Sequence, residues 1–263
     1  MFFKKKKDDY IISELKKEKN LRNINDIAKQ FYENQSIIEY LYKDHKLYIN
    51  NEQSALYHIV NSVKKMEQLA DSVELQDCNN VLDIGANVGL YSYFLALKYP
   101  NANFYIIEAD KRLTNVIEKN TKTIKNKKIF ELAVSNSSDL MLDFFVSLNS
   151  AQTNSLVKEN VEIFDDNILK MSVNNIKIDE FCKQNSINDV DVYKIDIQGG
   201  ELSALESSVE ILKNTKLMQI EFCFAFDDCL DTLALVNNYF HKFKIINEVY
   251  KGYDLQLYNN KFL

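Results

Sequence analysis

The chain has 263 residues, 46% of them apolar and 27% charged, which argues against disorder and leaves room for one α/β domain with an added segment. Its 32 Lys and Arg stand against 38 Asp and Glu, and the net charge of −6 repels polyanions, so nucleic acid is not an expected partner. No run of about 18 apolar residues is present to span a bilayer, and Met1-Phe2-Phe3 followed by Lys4 to Lys7 lacks the apolar stretch of a secretion signal.

From Asp8 to about Glu74 the pattern is helical. Leu15, Leu21, Ile24, Ile27, Ala28 and Phe31, then Ala55, Ile59, Val63, Met66 and Ala70, recur at three- and four-residue intervals. No Gly or Pro interrupts this stretch, so residues 1–75 are expected to form a helical extension and residues 76–263 the main domain. After Asn80 short β runs alternate with amphipathic stretches. Val81 to Ile84 reads as a buried strand, followed by a helix from Val88 to Lys98. Pro100, the chain's single proline, separates that helix from a strand at Phe104 to Glu108. A helix from Lys111 to Lys122 and a strand from Ile129 to Val134 complete a β-α-β-α-β series, which calls for a parallel sheet with right-handed crossovers. Leu140 to Leu148 and Val173 to Ile178 read as further strands. Asp191 to Ile197, a helix from Glu201 to Lys213, Leu217 to Phe222 and a helix from Leu230 to Tyr239 resume the alternation, and two strands around Gly252 form a terminal hairpin.

The four cysteines, Cys78, Cys182, Cys223 and Cys229, are too scattered for a zinc site, and with only three histidines no structural metal is expected. They read as free thiols of a reducing cytoplasm. Glycine is the informative residue. Average usage would give about 18 in a chain of this length, and there are 5, four of them in two clusters, Gly85 with Gly89 and Gly199 with Gly200. Retention at these places implies positive φ or close approach of a ligand.

In the first cluster the strand Val81 to Ile84 runs into Gly85-Ala86-Asn87-Val88-Gly89 and a helix. Glycines in the first βα turn let backbone amides approach a ligand at a helix N-terminus. The pattern lacks the third glycine of a dinucleotide turn and the Lys of a triphosphate loop, which disfavours both ligands. A ligand combining an amino acid with a nucleoside fits what remains, with Asp83 able to accept hydrogen bonds from an ammonium group. Glu108 ends the next strand about 20 residues after Gly89, the spacing at which an acid hydrogen-bonds ribose hydroxyls.

Asp83-Ile84-Gly85-Ala86-Asn87-Val88-Gly89 and Glu108 together resemble the S-adenosylmethionine-binding motifs of class I methyltransferases. Lys194-Ile195-Asp196-Ile197-Gln198-Gly199-Gly200-Glu201, preceded by Ile178-Asp179-Glu180-Phe181, resembles the signatures of the FkbM-type members. Gln198 and Gly200 depart from the residues usual there. The resemblance covers about Asn79 to Glu221 and leaves out the first 75 residues. It implies a Rossmann-like α/β fold with a seven-stranded, mostly parallel sheet and a final antiparallel strand, and methyl transfer to a hydroxyl, commonly of a sugar or secondary metabolite. It also implies that Asp83, Gly85, Asn87 and Gly89 hold the methionine part of the cofactor, that Glu108 holds the ribose, and that Ala133 and Val134 line the adenine.

At the acceptor end a sulfonium methyl needs an aligned oxygen and removal of its proton. Asp196, at the end of the fourth parallel strand, is the favoured base or substrate anchor, with Glu201 and Glu221 as helpers. Three carboxylates at one sheet edge could share a proton, with one pKa raised enough to act as a base, or hold a divalent cation, which is the less favoured reading. Glu201 has a structural alternative as partner of the helix N-terminus. Lys194 reads as a packing or solvated residue as readily as a catalytic one. His58 lies where the N-terminal helices could cover the site, Gln152 to Ser155 is a candidate acceptor-pocket stretch, and Tyr91 and Phe224 adjoin the motifs as candidate pocket walls.

The chain lacks the Pro-Pro-aromatic run of base-amine methylation and a Pro-Cys nucleophile. Hydroxyl methylation of a small or sugar-like acceptor survives. Few Gly and Pro with many Lys, Asn and Ile point to an AT-rich bacterial gene, and taken with that origin the family resemblance implies a sugar of a surface polysaccharide, presented as a nucleotide-linked precursor, as the preferred acceptor. The competing readings are a nicotinamide-dependent oxidoreductase, which the incomplete glycine fingerprint opposes, and a non-enzymatic binding scaffold. The apolar stripe of the N-terminal helices leaves two uses open, a cover for the acceptor pocket or a homodimer face.

Overall fold

The structure, a computed structural model, describes residues 10–262 apart from 53, 227 and 250. The Lys4 to Lys7 run lies outside the described residues.

The N-terminal region departs from the helical expectation at its centre. A helical segment at residues 10–15 and α1 (Ile24–Tyr32) are followed by an antiparallel hairpin, β1 (Ile37–Tyr42) and β2 (His45–Asn50). β-branched and aromatic residues alternate there with period two, burying Ile38, Tyr40 and Tyr42 from one strand and Leu47 and Ile49 from the other. Lys43 makes the turn at φ 53°. The chain then returns to helix through a π-helical turn, His58–Ser62, which leads directly into α2 (Val63–Asp71).

The main sheet begins with β3 (Asn80–Ile84), α3 (Leu90–Lys98), β4 (Asn103–Glu108), α4 (Thr114–Asn120) and β5 (Lys127–Glu131). The strand expected over 129–134 divides. β5 stays in the main sheet, while β6 (Ala133–Val134) pairs with β8 (Ile168–Ile176), which also pairs with β7 (Met141–Ser147) in a separate three-stranded sheet. Between β7 and β8 lies a short helix, α5 (Lys158–Glu162). Ile178, expected in a strand, instead opens α6 (Ile178–Gln184). The series continues with β9 (Val190–Ile195), α7 (Glu201–Glu206), α8 (Val209–Leu212) and β10 (Thr215–Cys223), so the single helix expected over 201–213 is broken in two. Then come α9 (Cys229–Val236), β11 (Lys242–Val249) and β12 (Gly252–Tyr258).

The seven-stranded sheet has the order β11-β12-β10-β9-β3-β4-β5, parallel except for β12. Strand order reverses between β3 and β9, which opens a crevice at their C-terminal ends. β3 and β9 are buried almost throughout, their apolar residues on both faces and their charged ones, Asp83 and Lys194, set against each other. Val81, Phe104, Val192 and Leu217 face a core shared with α3, the β1–β2 hairpin and α2, whereas Leu82, Ile107, Tyr193 and Met218 face α6 to α9. The N-terminal region is therefore one layer of the sheet's own core. Its apolar stripes, Ile27 and Ala28 on α1 and Val63, Leu69 and Ala70 on α2, are consumed inside the chain, so they do not form the exposed dimer face considered from sequence. All four cysteines are buried, and none is in a disulfide. Among the described residues no helix is long and apolar enough to cross a membrane.

Candidate active site

A cavity of about 580 Å³ occupies the crevice above β3 and β9. One end is the first βα turn. Gly85, Asn87 and Gly89 have φ of 72°, 51° and 78°, the left-handed region that favours glycine and tolerates asparagine. At Gly85 a Cβ would fall 1.9 Å from the carbonyl oxygen of Asp196, so glycine also lets the turn touch the end of β9. Glu108 closes this end from β4. The Asn87 N–H donates to its Oε2 at 2.7 Å and the Asp110 N–H to its Oε1 at 2.8 Å. Burial pushes the Glu108 carboxyl up to about 7 despite those donors. Ala133 and Val134, with Leu132 and Phe144, form an apolar wall beside it.

Asp83 and Gly89 are outside the cavity wall. The Asp83 carboxylate is fully buried beneath the turn, where Ser92 Oγ donates to it at 2.6 Å and Lys194 Nζ lies 3.3 Å away. Lys194 also donates to the carbonyls of Gly85 (2.6 Å) and Ile84 (3.3 Å). The pair fixes the turn from below, so Asp83 supports the ligand loop from behind. Gly89 acts as the helix entry to α3.

Glu201 is likewise displaced from the role expected of it. It is buried behind the second glycine cluster, accepting from the N–H groups of Ile197 (2.8 Å) and Gly199 (2.7 Å), while Gln198 and Gly199 take φ of 60° and 94°. Two backbone donors occupy both of its oxygens, which makes it the brace of the 197–200 loop. Burial pushes its carboxyl up to about 8.

Asp196 and Glu221 do line the cavity, at its other end. Between them stands a residue with no local sequence signal, Lys65 of α2. Its Nζ lies 2.7 Å from Glu221 Oε2, 3.3 Å from Asp254 Oδ1 and 4.0 Å from Asp196 Oδ2. Burial works against the ammonium, but the three carboxylates outweigh it and hold Lys65 charged well above the ordinary lysine range. Burial also raises Asp196, yet Lys65, Lys194 and the Gln198 amide, which donates at 2.8 Å, together keep its carboxyl below the usual carboxylate range. Glu221, pushed up by burial and by the charge of Asp196, reaches about 7. Among the described residues no group of three His, Cys, Asp or Glu side chains is arranged to hold a metal ion.

The wall over this end comes from the N-terminal region and the 152–154 loop. His58 is buried and takes a hydrogen bond of 2.6 Å between Nδ1 and the Gln152 side-chain nitrogen, and burial lowers its pKa to about 3, so the ring is neutral. Gln152, Thr153 and Asn154 face the cavity. Ser155 turns inward to donate to the Gln198 carbonyl at 2.9 Å. Tyr91 is buried away from the cavity, and Phe224 is exposed outside it.

The cavity thus joins a glycine turn, the buried carboxylate of Glu108 and an apolar slot to a carboxylate pair. The family model for the Methyltransferase FkbM domain matches residues 83–243. The chain belongs to the FkbM methyltransferase family. Its cofactor is accordingly S-adenosylmethionine, for which the residues at the turn end of the cavity supply fitting chemistry: a carboxylate for hydroxyls and an apolar slot for a base. The chain is 28% identical over 141 residues to a ribosomal RNA small subunit methyltransferase G of Mycoplasma mobile, covering 45% of this chain and 63% of that protein. It is 26% identical over 175 residues to the 2-O-methyltransferase NoeI of Sinorhizobium fredii, covering 61% of this chain and 70% of NoeI. Among solved structures, TrmK of M. capricolum with S-adenosylhomocysteine aligns at a TM-score of 0.43 and 16% identity, covering 74% of this chain and 68% of that one.

Proposed function

We propose that this methyltransferase acts on a hydroxyl of a sugar or similar small metabolite, a nucleotide-linked sugar for a bacterial surface polysaccharide being the preferred acceptor. The observation that carries the reading is the single cavity reaching from Gly85 and Glu108 to Asp196 and Glu221. Its acceptor end is lined by amides and carboxylates, the groups that bind hydroxyls, and the net charge of −6 disfavours a polyanionic acceptor. The printed activity of NoeI, methylation at oxygen, is in keeping with this.

In this reading Glu108 binds the ribose hydroxyls, Ala133 and Val134 pack on the adenine, and the turn from Gly85 to Asn87 holds the methionine part. When bound, S-adenosylmethionine supplies an activated methyl group. Asp196 is the base. Its Oδ1 is held by Gln198, which leaves Oδ2 to accept the proton that the acceptor's hydroxyl loses as it takes the methyl group. Glu221 anchors a neighbouring hydroxyl. Cytoplasmic location is part of the same proposal.

Calorimetric titration with S-adenosylmethionine, S-adenosylhomocysteine and NAD, with Glu108→Ala as control, tests the cofactor end. A screen of nucleotide sugars with and without Mg²⁺, using wild type and Asp196→Asn, tests the acceptor end. Micromolar binding of the first two ligands and transfer lost in Asp196→Asn is the expected result. Binding of NAD alone would replace the reading with an oxidoreductase, and binding of none would leave a scaffold.

A further inference from the structure

The carboxylates at the acceptor end come from three separate strand ends, and the cation among them comes from none of these. Lys65 is 156 positions from Glu221 and lies outside the family-matched stretch. It is delivered by α2, which is locked to the sheet by other contacts. The Gln219 amide nitrogen on β10 donates to the Leu69 carbonyl at 2.8 Å, and Ser72 Oγ donates to Gln256 on β12 at 2.8 Å. The ammonium's height above the sheet edge is therefore fixed by packing.

The geometry points to Lys65 as a positioning residue for methyl transfer: it ties Glu221 and Asp254 together and supplies the positive charge that keeps Asp196 ionised at the cavity. This rests on the reading of Asp196 as the base. The groups facing Asp196 bear on the sign. Lys65 on α2 and Lys194 on β9 favour its charge, Gln198 donates to it, and Glu221 on β10, Glu201 on α7 and Asp254 on β12 oppose it. Lys194 is already engaged with Asp83 and the turn carbonyls. Lys65 is the cation set among the opposing carboxylates. Without it, Asp196 would face them in a buried site with one opposing cation fewer, and its carboxyl would hold its charge less firmly.

The test is a carboxyl carbon-13 NMR titration of aspartate-labelled protein, with the Asp196 signal identified by its loss in Asp196→Asn. The variants are Lys65→Met, Lys65→Gln, which can still donate to Glu221, and Lys65→Arg. The expected result is a rise of the Asp196 midpoint by about one pH unit or more in the two neutral variants, and a midpoint near wild type in Lys65→Arg. An unchanged midpoint in either neutral variant overturns the inference. Failure of both neutral variants to melt cooperatively while Lys65→Arg folds also overturns it, in favour of a purely structural lysine. The titration needs neither cofactor nor acceptor. Failure of the wild type to bind S-adenosylmethionine would therefore sink the functional reading separately.

Discussion

The backbone N–H of Asn87 donates to Oε2 of Glu108 across 2.7 Å, joining the first βα turn to the end of the neighbouring strand. The turn's conformation and the Glu108 carboxylate are thus one unit, and loss of the carboxylate leaves the N–H groups of both Asn87 and Asp110 without that acceptor.

Cofactor binding should consequently respond to pH through Glu108. Its carboxyl stands near 7 in the free protein because burial disfavours the charge. Ribose hydroxyls donate best to the ionised form, so binding of S-adenosylhomocysteine should tighten as pH rises from about 6 to 8 and release a proton below about 7. Calorimetry in buffers of different ionisation enthalpy reads that proton directly. Equal apparent enthalpies in all buffers would contradict the assignment.

The two glycines of the turn should differ in tolerance. Gly85→Ala places a methyl 1.9 Å from the Asp196 carbonyl oxygen at φ 72°, whereas Gly89→Ala meets the Thr121 methyl at 3.1 Å at φ 78°. Left-handed backbone costs each about 1–2 kcal/mol, and only Gly85→Ala must also displace backbone. Urea unfolding should show a loss of about 3 kcal/mol or more for Gly85→Ala, well above that for Gly89→Ala. A reversed order would show that the turn is not held against β9.

Asp83 and Lys194 should behave as a buried pair. Asp83→Asn or Lys194→Met alone strands the partner and should cost about 3–5 kcal/mol, while the double variant should be less damaged than the sum of the two. Cofactor affinity should fall in the single variants through the turn, because Lys194 holds the carbonyls of Ile84 and Gly85. Additive losses in the double-mutant cycle would rule out coupling.

Stability of the free protein should fall on both sides of an optimum. Glu201, near 8, and Glu221, near 7, have folded-state values above the ordinary 4.5, so their contribution is complete only below about 4.5 and is lost progressively as pH rises from there through about 7 to 8. His58, lowered to about 3, works in the opposite sense: its contribution is present above about 6.5 and is lost as pH falls toward 3. Melting curves of His58→Gln should therefore lose less stability than wild type between about pH 7 and 4.5, by at most about 2.5 kcal/mol. Parallel curves for the two proteins would refute the buried neutral ring.

Much of this molecule is determined by its sequence alone. Five glycines in 263 residues make each retained one conspicuous; of the four in the two clusters Gly85, Gly89 and Gly199 have positive φ, while Gly200 has φ −104° and instead lines the cavity. The parallel alternation, the terminal hairpin at Gly252 and the spacing from Gly89 to Glu108 are local properties of short segments, which is why they are legible. The β1–β2 hairpin was less visible because its period-two burial lies between two helical stretches and carries no Gly or Pro at its turn.

Tertiary structure decided the rest. Asp83 and Glu201 belong to motifs in sequence, but their oxygens turn away from the cavity because buried donors, Ser92 and Lys194 for one and two loop N–H groups for the other, need acceptors there. Lys65 is one lysine among many on a polar helix face until α2 packs beside the sheet edge. Three carboxylates from distant strands then surround it, because a charge buried in that layer must be paired.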